Sequence, residues 1–271
     1  MQNYICTTCG HQFAESNELP SHCPICEDER QYVSYLGQGW TTLDELAKRH
    51  HNLVKPLESG LTGIATEPKF AIGQRALLVQ TLKGNVLWDC ISLLDHATIE
   101  VVKAMGGISS LAMSHPHLFG SMIEWSRAFG DAPIYLHADH KPWVQRPDPV
   151  IEFWEGETLE LKEGVTLYRC GGHFEGSTVL LWQDGADGKG ALLTGDTMYV
   201  APDRKYVSFM YSYPNFIPLS ASIVDSIVDK VMPLKFDRIY GHFFGLEIEA
   251  DAKAVIRQSA ERYKKAVGVA G

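Results

Sequence analysis

The chain has 271 residues, 45% of them hydrophobic and 21% charged, with a formal net charge of −9. This length holds one large core and a small appendage, and the acidic balance argues against nucleic acid as a partner. No apolar run approaches the roughly 20 residues that cross a bilayer, and Met1 to Cys6 lacks the basic and apolar stretches of a secretory signal. The expectation is a cytoplasmic protein that acts on a small molecule, without a membrane partner.

In chain order, the first signal is cysteine spacing. Four of the six cysteines pair as Cys6-x-x-Cys9 and Cys23-x-x-Cys26, with 13 residues between the pairs. Two such knuckles can close a tetrahedral four-thiolate site, and disulfides are disfavoured in a cytosolic chain. Gly10 and Pro24 suit the tight turns that aim thiolates at one ion. Residues 1–36 resemble a rubredoxin-like zinc ribbon, which implies a structural zinc at this site, with iron possible. The segment carries one basic residue, Arg30, against Glu15, Glu18, Glu27, Asp28 and Glu29, the wrong sign for a nucleic-acid-binding ribbon. Its expected role is structural or docking.

Residues 37–271 read as alternating strands and helices. Thr42-x-x-Glu45 is a capping box opening a helix toward His50. Arg75–Thr81 and Asn85–Cys90 form a hairpin around Lys83-Gly84. A helix over Thr98–Met105 stops at Gly106-Gly107, and Ile108–Ser114 is a buried strand. Ser121-x-x-Glu124 caps a helix that ends at Gly130, and Pro133–His137 is a strand. Short strands crowd residues 150–210: Ile151–Trp154, Thr158–Leu161, Val165–Cys170, Thr178–Trp182 and Ala191–Thr194. Ile223, Val224, Ile227, Val228 and Val231 give a helical stripe, Asp237–Tyr240 a last strand and Glu249–Val267 a last helix. The order suggests two sheets with helices outside. Cys90 and Cys170 fall in strand-like stretches and read as core thiols.

Polar stations end several of these runs: His115-Pro-His117, Gly-Gly-His173, Gly-Asp196 and Gly-His242. Histidine and carboxylate are the ligand types that zinc or iron takes. Strand ends deliver such side chains to one edge of a sheet. His137, Asp139 and His140 read as a solvated loop, and His11, His22, His50, His51 and His96 as exposed or capping residues.

The ordered set of His115-x-His117, Gly172-His173-x-x-Gly176-Ser177, Thr194-Gly195-Asp196 and Gly241-His242 resembles the metallo-β-lactamase fold, over roughly residues 50–250. Asp89 matches the structural aspartate of that fold. The resemblance implies an α/β fold of the αββα sandwich type, with a metal at one edge of the sheets and hydrolase or redox chemistry. The family pattern His-x-His-x-Asp-His is broken here, since Phe119 and Gly120 stand at the last two positions. In two-metal relatives those side chains hold the second ion. The expectation is therefore one zinc or iron on His115, His117 and His173. Asp196 would be a fourth ligand or close neighbour and His242 a nearby donor. Phe119→Asp with Gly120→His would then gain a second ion.

Three imidazoles leave zinc its double charge and an open position, which lowers a bound water's pKa to about 7. Asp196 can orient the hydroxide or take its proton, and His242 can donate to the oxyanion. Met198, Tyr199, Tyr206, Phe209, Tyr211, Tyr213 and Phe216 are candidate walls for an aromatic or acyl substrate. Arg204 and Lys205 read as a solvated loop. The leading expectation is a mononuclear metal hydrolase of ester, thioester or lactone class. One alternative is a non-haem iron oxygenase built on His115, His173 and Asp196, similar to persulfide dioxygenases of this superfamily. The other is a non-catalytic, metal-bound binding module whose ribbon makes homo-oligomer contacts.

Overall fold

The computed structural model describes residues 1–268. The chain divides into two compact units, Met1–Trp154 and Glu155–Gly271. Among the described residues no helix is long and apolar enough to cross a membrane.

The first unit carries a seven-stranded sheet in sequential order: β1 (His51–Glu58), β2 (Leu61–Glu67), β3 (Arg75–Val79), β4 (Val86–Trp88), β5 (Ser110–Ala112), β6 (Ile134–His137) and β7 (Ile151–Trp154). β1 to β4 form an antiparallel meander, and β4 to β7 pair in parallel. Parallel neighbours need a crossover, supplied by α1 (His96–Ala104) between β4 and β5 and by α2 (Met122–Ala128) between β5 and β6. Asp95 caps α1 by accepting from the Thr98 N–H at 2.7 Å. The expected capping by Ser121 does not form. Its hydroxyl donates instead to the Ser92 carbonyl at 2.7 Å. The core joins Leu78, Leu87 and Leu111 of the strands to Val102, Ile123 and Trp125 of the helices.

No residue pattern marks the β1–β2 hairpin. β1 alternates with an exposed face, while β2 is buried at every position before Glu67. Its run Leu61-Thr-Gly-Ile-Ala-Thr66 mixes small and polar residues and carries no clear period-2 signal.

The second unit carries a six-stranded sheet: β8 (Thr158–Lys162), β9 (Val165–Arg169), β10 (Thr178–Trp182), β11 (Ala191–Leu193), β12 (Arg238–Tyr240) and β13 (Glu247–Ile248). β8 to β11 alternate in direction, β11 and β12 are parallel, and β13 returns antiparallel. The crossover from β11 to β12 contains α3 (Ala221–Val231), capped by Ser220. Val224, Ile227 and Val231 are its buried stripe, packed with Leu192 and Ile239, while Ile223 is 40% exposed. α4 (Ala252–Ala266) buries Ile256 and Ala260 in the same core.

Candidate metal centres

Cys6, Cys9, Cys23 and Cys26 converge. Their sulfurs lie within 4.8 Å of one another, with Cys6 to Cys26 at 3.6 Å and Cys9 to Cys23 at 3.8 Å. A disulfide needs about 2.05 Å, whereas a tetrahedron of metal–sulfur bonds near 2.3 Å has edges of roughly 3.8 Å. The cluster therefore fits a tetrahedral ion. Gly10, at φ +83°, closes the first knuckle through its N–H to the Cys6 carbonyl at 2.9 Å, and Pro24–Glu27 forms a helical turn at the second. The Cys6 sulfur also accepts from Thr8 N–H at 3.3 Å and Gln38 Nε2 at 3.0 Å. Hydrogen bonds from Cys23, Cys26 and Cys9 hold the Cys6 thiol far below its ordinary range.

This segment is fastened to the rest of the first unit. Ser92 Oγ donates to the Gly10 carbonyl at 2.7 Å, and the Gln12 N–H to the Gly120 carbonyl at 3.0 Å. The Ala14 N–H reaches the Gln145 carbonyl at 3.1 Å, and the Gln145 N–H reaches His11 Nε2 at 3.2 Å. His11 is buried, at 1% exposure, which corrects the expectation of an exposed or capping residue. Burial lowers its pKa to about 4. Gly120 sits at φ +53°, and a Cβ there would meet the Ile91 carbonyl carbon and oxygen at 2.7 Å. No side chain fits that position without a backbone shift, so the expectation that Gly120→His restores a ligand is withdrawn.

His115 and His117 follow the carboxyl end of β5, at the edge where parallel strands open their ligand crevices. Asp89, past the end of β4, accepts the Ser114 N–H at 2.7 Å and fixes the exit of β5. His115 and His117 are both buried, with ring centroids 5.3 Å apart. Ser114 Oγ meets His115 Nδ1 at 2.8 Å. His137 and His140 do not form a solvated loop: they are 4% and 0% exposed, His137 ending β6 and His140 in a 3-10 helix over Ala138–Trp143. Trp154 packs edge-on to His137 at 4.7 Å and Phe119 to His140 at 5.9 Å. Aromatic neighbours several residues away bury these rings, and no local pattern signals that.

The second unit brings His173, Asp196 and His242 to one edge of its sheet. Asp196 and His242 follow the carboxyl ends of the parallel β11 and β12, and His173 lies in the loop entering the antiparallel β10. All three are at most 2% exposed. His173 Nδ1 is 2.7 Å from the Tyr211 carbonyl. A carbonyl only accepts, so Nδ1 carries a proton and Nε2 is the nitrogen left to face the site. That Nε2 lies 3.6 Å from Asp196 Oδ2. A buried imidazole and a buried carboxylate at this spacing are the donor types that a divalent ion takes, so the donor set fits a metal. His242 Nδ1 lies 2.9 Å from Asp196 Oδ1 and 3.1 Å from the Gly195 carbonyl. The Gly195 carbonyl, which only accepts, likewise places a proton on Nδ1, beside the carboxylate. The Tyr211 carbonyl, which orients His173, is a backbone group that residue patterns do not mark.

The aromatic residues between Asp196 and His242 separate by role. Met198 and Phe209 are fully buried core. Tyr199, Tyr213 and Phe243 ring His242 at centroid distances of 5.7, 6.3 and 4.2 Å. Burial, reinforced by Asp196, raises the Tyr199 and Tyr213 phenols above their ordinary range, so both stay protonated. Cys90 and Cys170 are buried core thiols, as expected.

No family model matches the chain. Uncharacterized protein YmaE of Bacillus subtilis (strain 168) is 51% identical over 269 residues, covering 98% of this chain and 97% of that protein. The chain belongs to the YmaE family. Among solved structures, the metallo-β-lactamase DIM-1 aligns with a TM-score of 0.59 at 12% identity, over 80% of this chain and 99% of DIM-1. VMB-1 aligns with a TM-score of 0.59 at 15% identity, over 81% of this chain and 99% of VMB-1. FIM-1 of Pseudomonas aeruginosa, in its mono-zinc form, aligns at 0.56 and 14% identity, over 79% of this chain and 96% of FIM-1. This YmaE-family chain thus has the metallo-β-lactamase fold, with a four-cysteine cluster near its N-terminus. At such identities the likeness speaks to fold and not to chemistry.

Proposed function

We propose that the protein is a metal-dependent hydrolase with one divalent ion, held by His115, His117 and His173 with Asp196 as fourth ligand or close neighbour. The observation that carries this reading is the donor chemistry in each unit: buried His115 and His117 at the carboxyl end of β5 in the first, and buried His173 beside Asp196 at strand ends in the second. Phe119 and Gly120 in place of an aspartate and a histidine favour a single ion, and the resemblance to a mono-zinc FIM-1 is in keeping with it. Zinc is the leading candidate, because neutral imidazoles leave its charge available; iron is the alternative.

When bound, such an ion supplies a water that ionises near neutral pH. The chain's residues do the rest. Asp196 accepts the proton or orients the attacking oxygen. His242, its Nδ1–H held by the Gly195 carbonyl beside that carboxylate, donates to charge that develops on a substrate oxygen once Nε2 has also taken a proton. Tyr199, Tyr213 and Phe243 exclude water from the His242 side, which strengthens these interactions. Esters, thioesters and lactones share the carbonyl centre this arrangement suits. The chain is read as a cytoplasmic protein whose partner is this small molecule.

Elemental analysis of anaerobically purified protein, with an ester, thioester and lactone panel, tests the reading. One zinc per chain beyond the cysteine site, lost together with hydrolysis in His173→Ala, supports it. Iron there with oxygen uptake on thiol substrates, or full loading without hydrolysis, overturns it.

A further inference from the structure

The second unit contains a cavity of about 380 Å³, walled chiefly by Tyr199, Met210, Tyr213 and Pro214. Among the described residues no charged side chain lines it. Its two polar side chains other than the tyrosines, Ser208 and Asn215, are turned on each other, with Asn215 Nδ2 donating to Ser208 Oγ at 3.2 Å. The same amide donates to the Phe209 carbonyl at 3.2 Å. The nearby cation Arg204 is engaged elsewhere, by the Glu247 carbonyl at 3.0 Å and by the Glu249 carboxylate. The cavity therefore has no cation to offer an anion, and its mostly apolar walls suit an apolar group.

Its position gives it a use. Tyr199 and Tyr213 wall the cavity and also contact the His242 ring, at 5.7 and 6.3 Å between centroids. A group lodged there touches the same two tyrosines that touch the His242 ring. The volume sits at the small end of ligand pockets, roughly 300–1,000 Å³.

We propose that this cavity is the specificity pocket of the enzyme and takes an uncharged apolar group of the substrate, a phenyl ring or short alkyl chain, attached to the carbonyl that reacts beside Asp196 and His242. The assignment rests on the hydrolase reading for the identity of the reacting group, but occupancy of the cavity is measurable without turnover.

The test uses the full-length protein with its metals, labelled with [13C-methyl]methionine, and titrates uncleaved amides. Hexanamide and benzamide shift the Met210 methyl signal, and succinamate, the anionic counterpart, does not. Ala201→Trp, which puts an indole at a lining position of the cavity, weakens both apolar amides by about tenfold or more. In parallel, p-nitrophenyl hexanoate is hydrolysed with at least about tenfold higher kcat/KM than the hemisuccinate ester, and Ala201→Trp removes the difference. An unmoved Met210 signal with either apolar amide overturns the pocket, as does equal binding to the filled variant or equal response to succinamate. Amide binding at Met210 with no ester cleavage keeps the pocket and removes the hydrolase reading, so the two failures are distinguishable. Where Ala201→Trp does not fold, Met210→Ala serves: it enlarges the cavity and moves the preference toward longer acyl chains, and an unchanged preference overturns the assignment.

Discussion

His11 stands edge-on to Phe119, with ring centroids 5.5 Å apart. The histidine comes from the cysteine-knuckle segment. The phenylalanine occupies the position where the resembled fold carries an aspartate that binds a second ion. One contact thus ties the N-terminal segment to the turn that carries His115 and His117. His11 also accepts the Gln145 N–H. His11→Ala leaves that part-buried donor without its acceptor, at a cost of about 1 kcal/mol. The expected outcome is a lower urea midpoint and faster hydrogen exchange at the Gln145 and Gln12 amides. Unchanged exchange at both would show that the segment is not fastened there.

The two candidate centres are separable by mutation. Cys23→Ser is expected to lose one metal equivalent and to loosen residues 1–36, because so small a segment draws much of its folding energy from the ion. His173→Ala is expected to lose the other equivalent and to leave the cysteine site loaded. Elemental analysis of both variants decides; loss of both ions in either variant would mean the sites are not independent.

Restoring the family motif is expected to fail. In Phe119→Asp with Gly120→His, the new Cβ at residue 120 meets the Ile91 backbone at 2.7 Å. The new aspartate also replaces a buried ring beside His11 and His140. The variant should keep one ion at the His/Asp site and unfold at a lower temperature. A second bound ion, with thermal stability retained, would show that the loop yields more easily than its packing indicates.

Two buried thiols set an alkaline limit. Burial pushes Cys170 from the ordinary 9.0 up to about 12, and Cys90 shifts in the same direction for the same reason. Their pKa values are raised in the folded state, so above 9.0 the unfolded chain releases protons that the folded chain keeps. Stability is then full below that value and falls as pH climbs toward the folded pKa, by up to about 1.4 kcal/mol per pH unit per thiol. Urea midpoints measured from pH 8 to 11 should fall less steeply in Cys170→Ala than in the parent. Neither thiol should react with Ellman's reagent at pH 8 in the folded protein, and prompt labelling of either would contradict its burial.

Much of the fold is legible in the sequence. The knuckle spacing of Cys6, Cys9, Cys23 and Cys26 announces the sulfur cluster, because two short turns bring four thiols to one point by local geometry alone. The stripe of Val224, Ile227 and Val231 announces α3, because a helix repeats its buried face every three or four residues. His173, Asp196 and His242 are each marked by glycine-bearing turns at strand ends. The β1–β2 hairpin was not legible, because burial of β2 on both faces erases the alternation that marks a strand. Burial of His11, His137 and His140 was not legible either, because their neighbours lie far along the chain.

The sequence by itself determined which side chains can hold an ion and the order in which strand ends deliver them, since ligand type and short-range spacing are properties of the chain. Only the tertiary structure decided the proton on His173, placed by the Tyr211 carbonyl, and the closed space at Gly120, placed by the Ile91 backbone. Both depend on main-chain atoms brought from distant residues, and every residue type carries the same main chain.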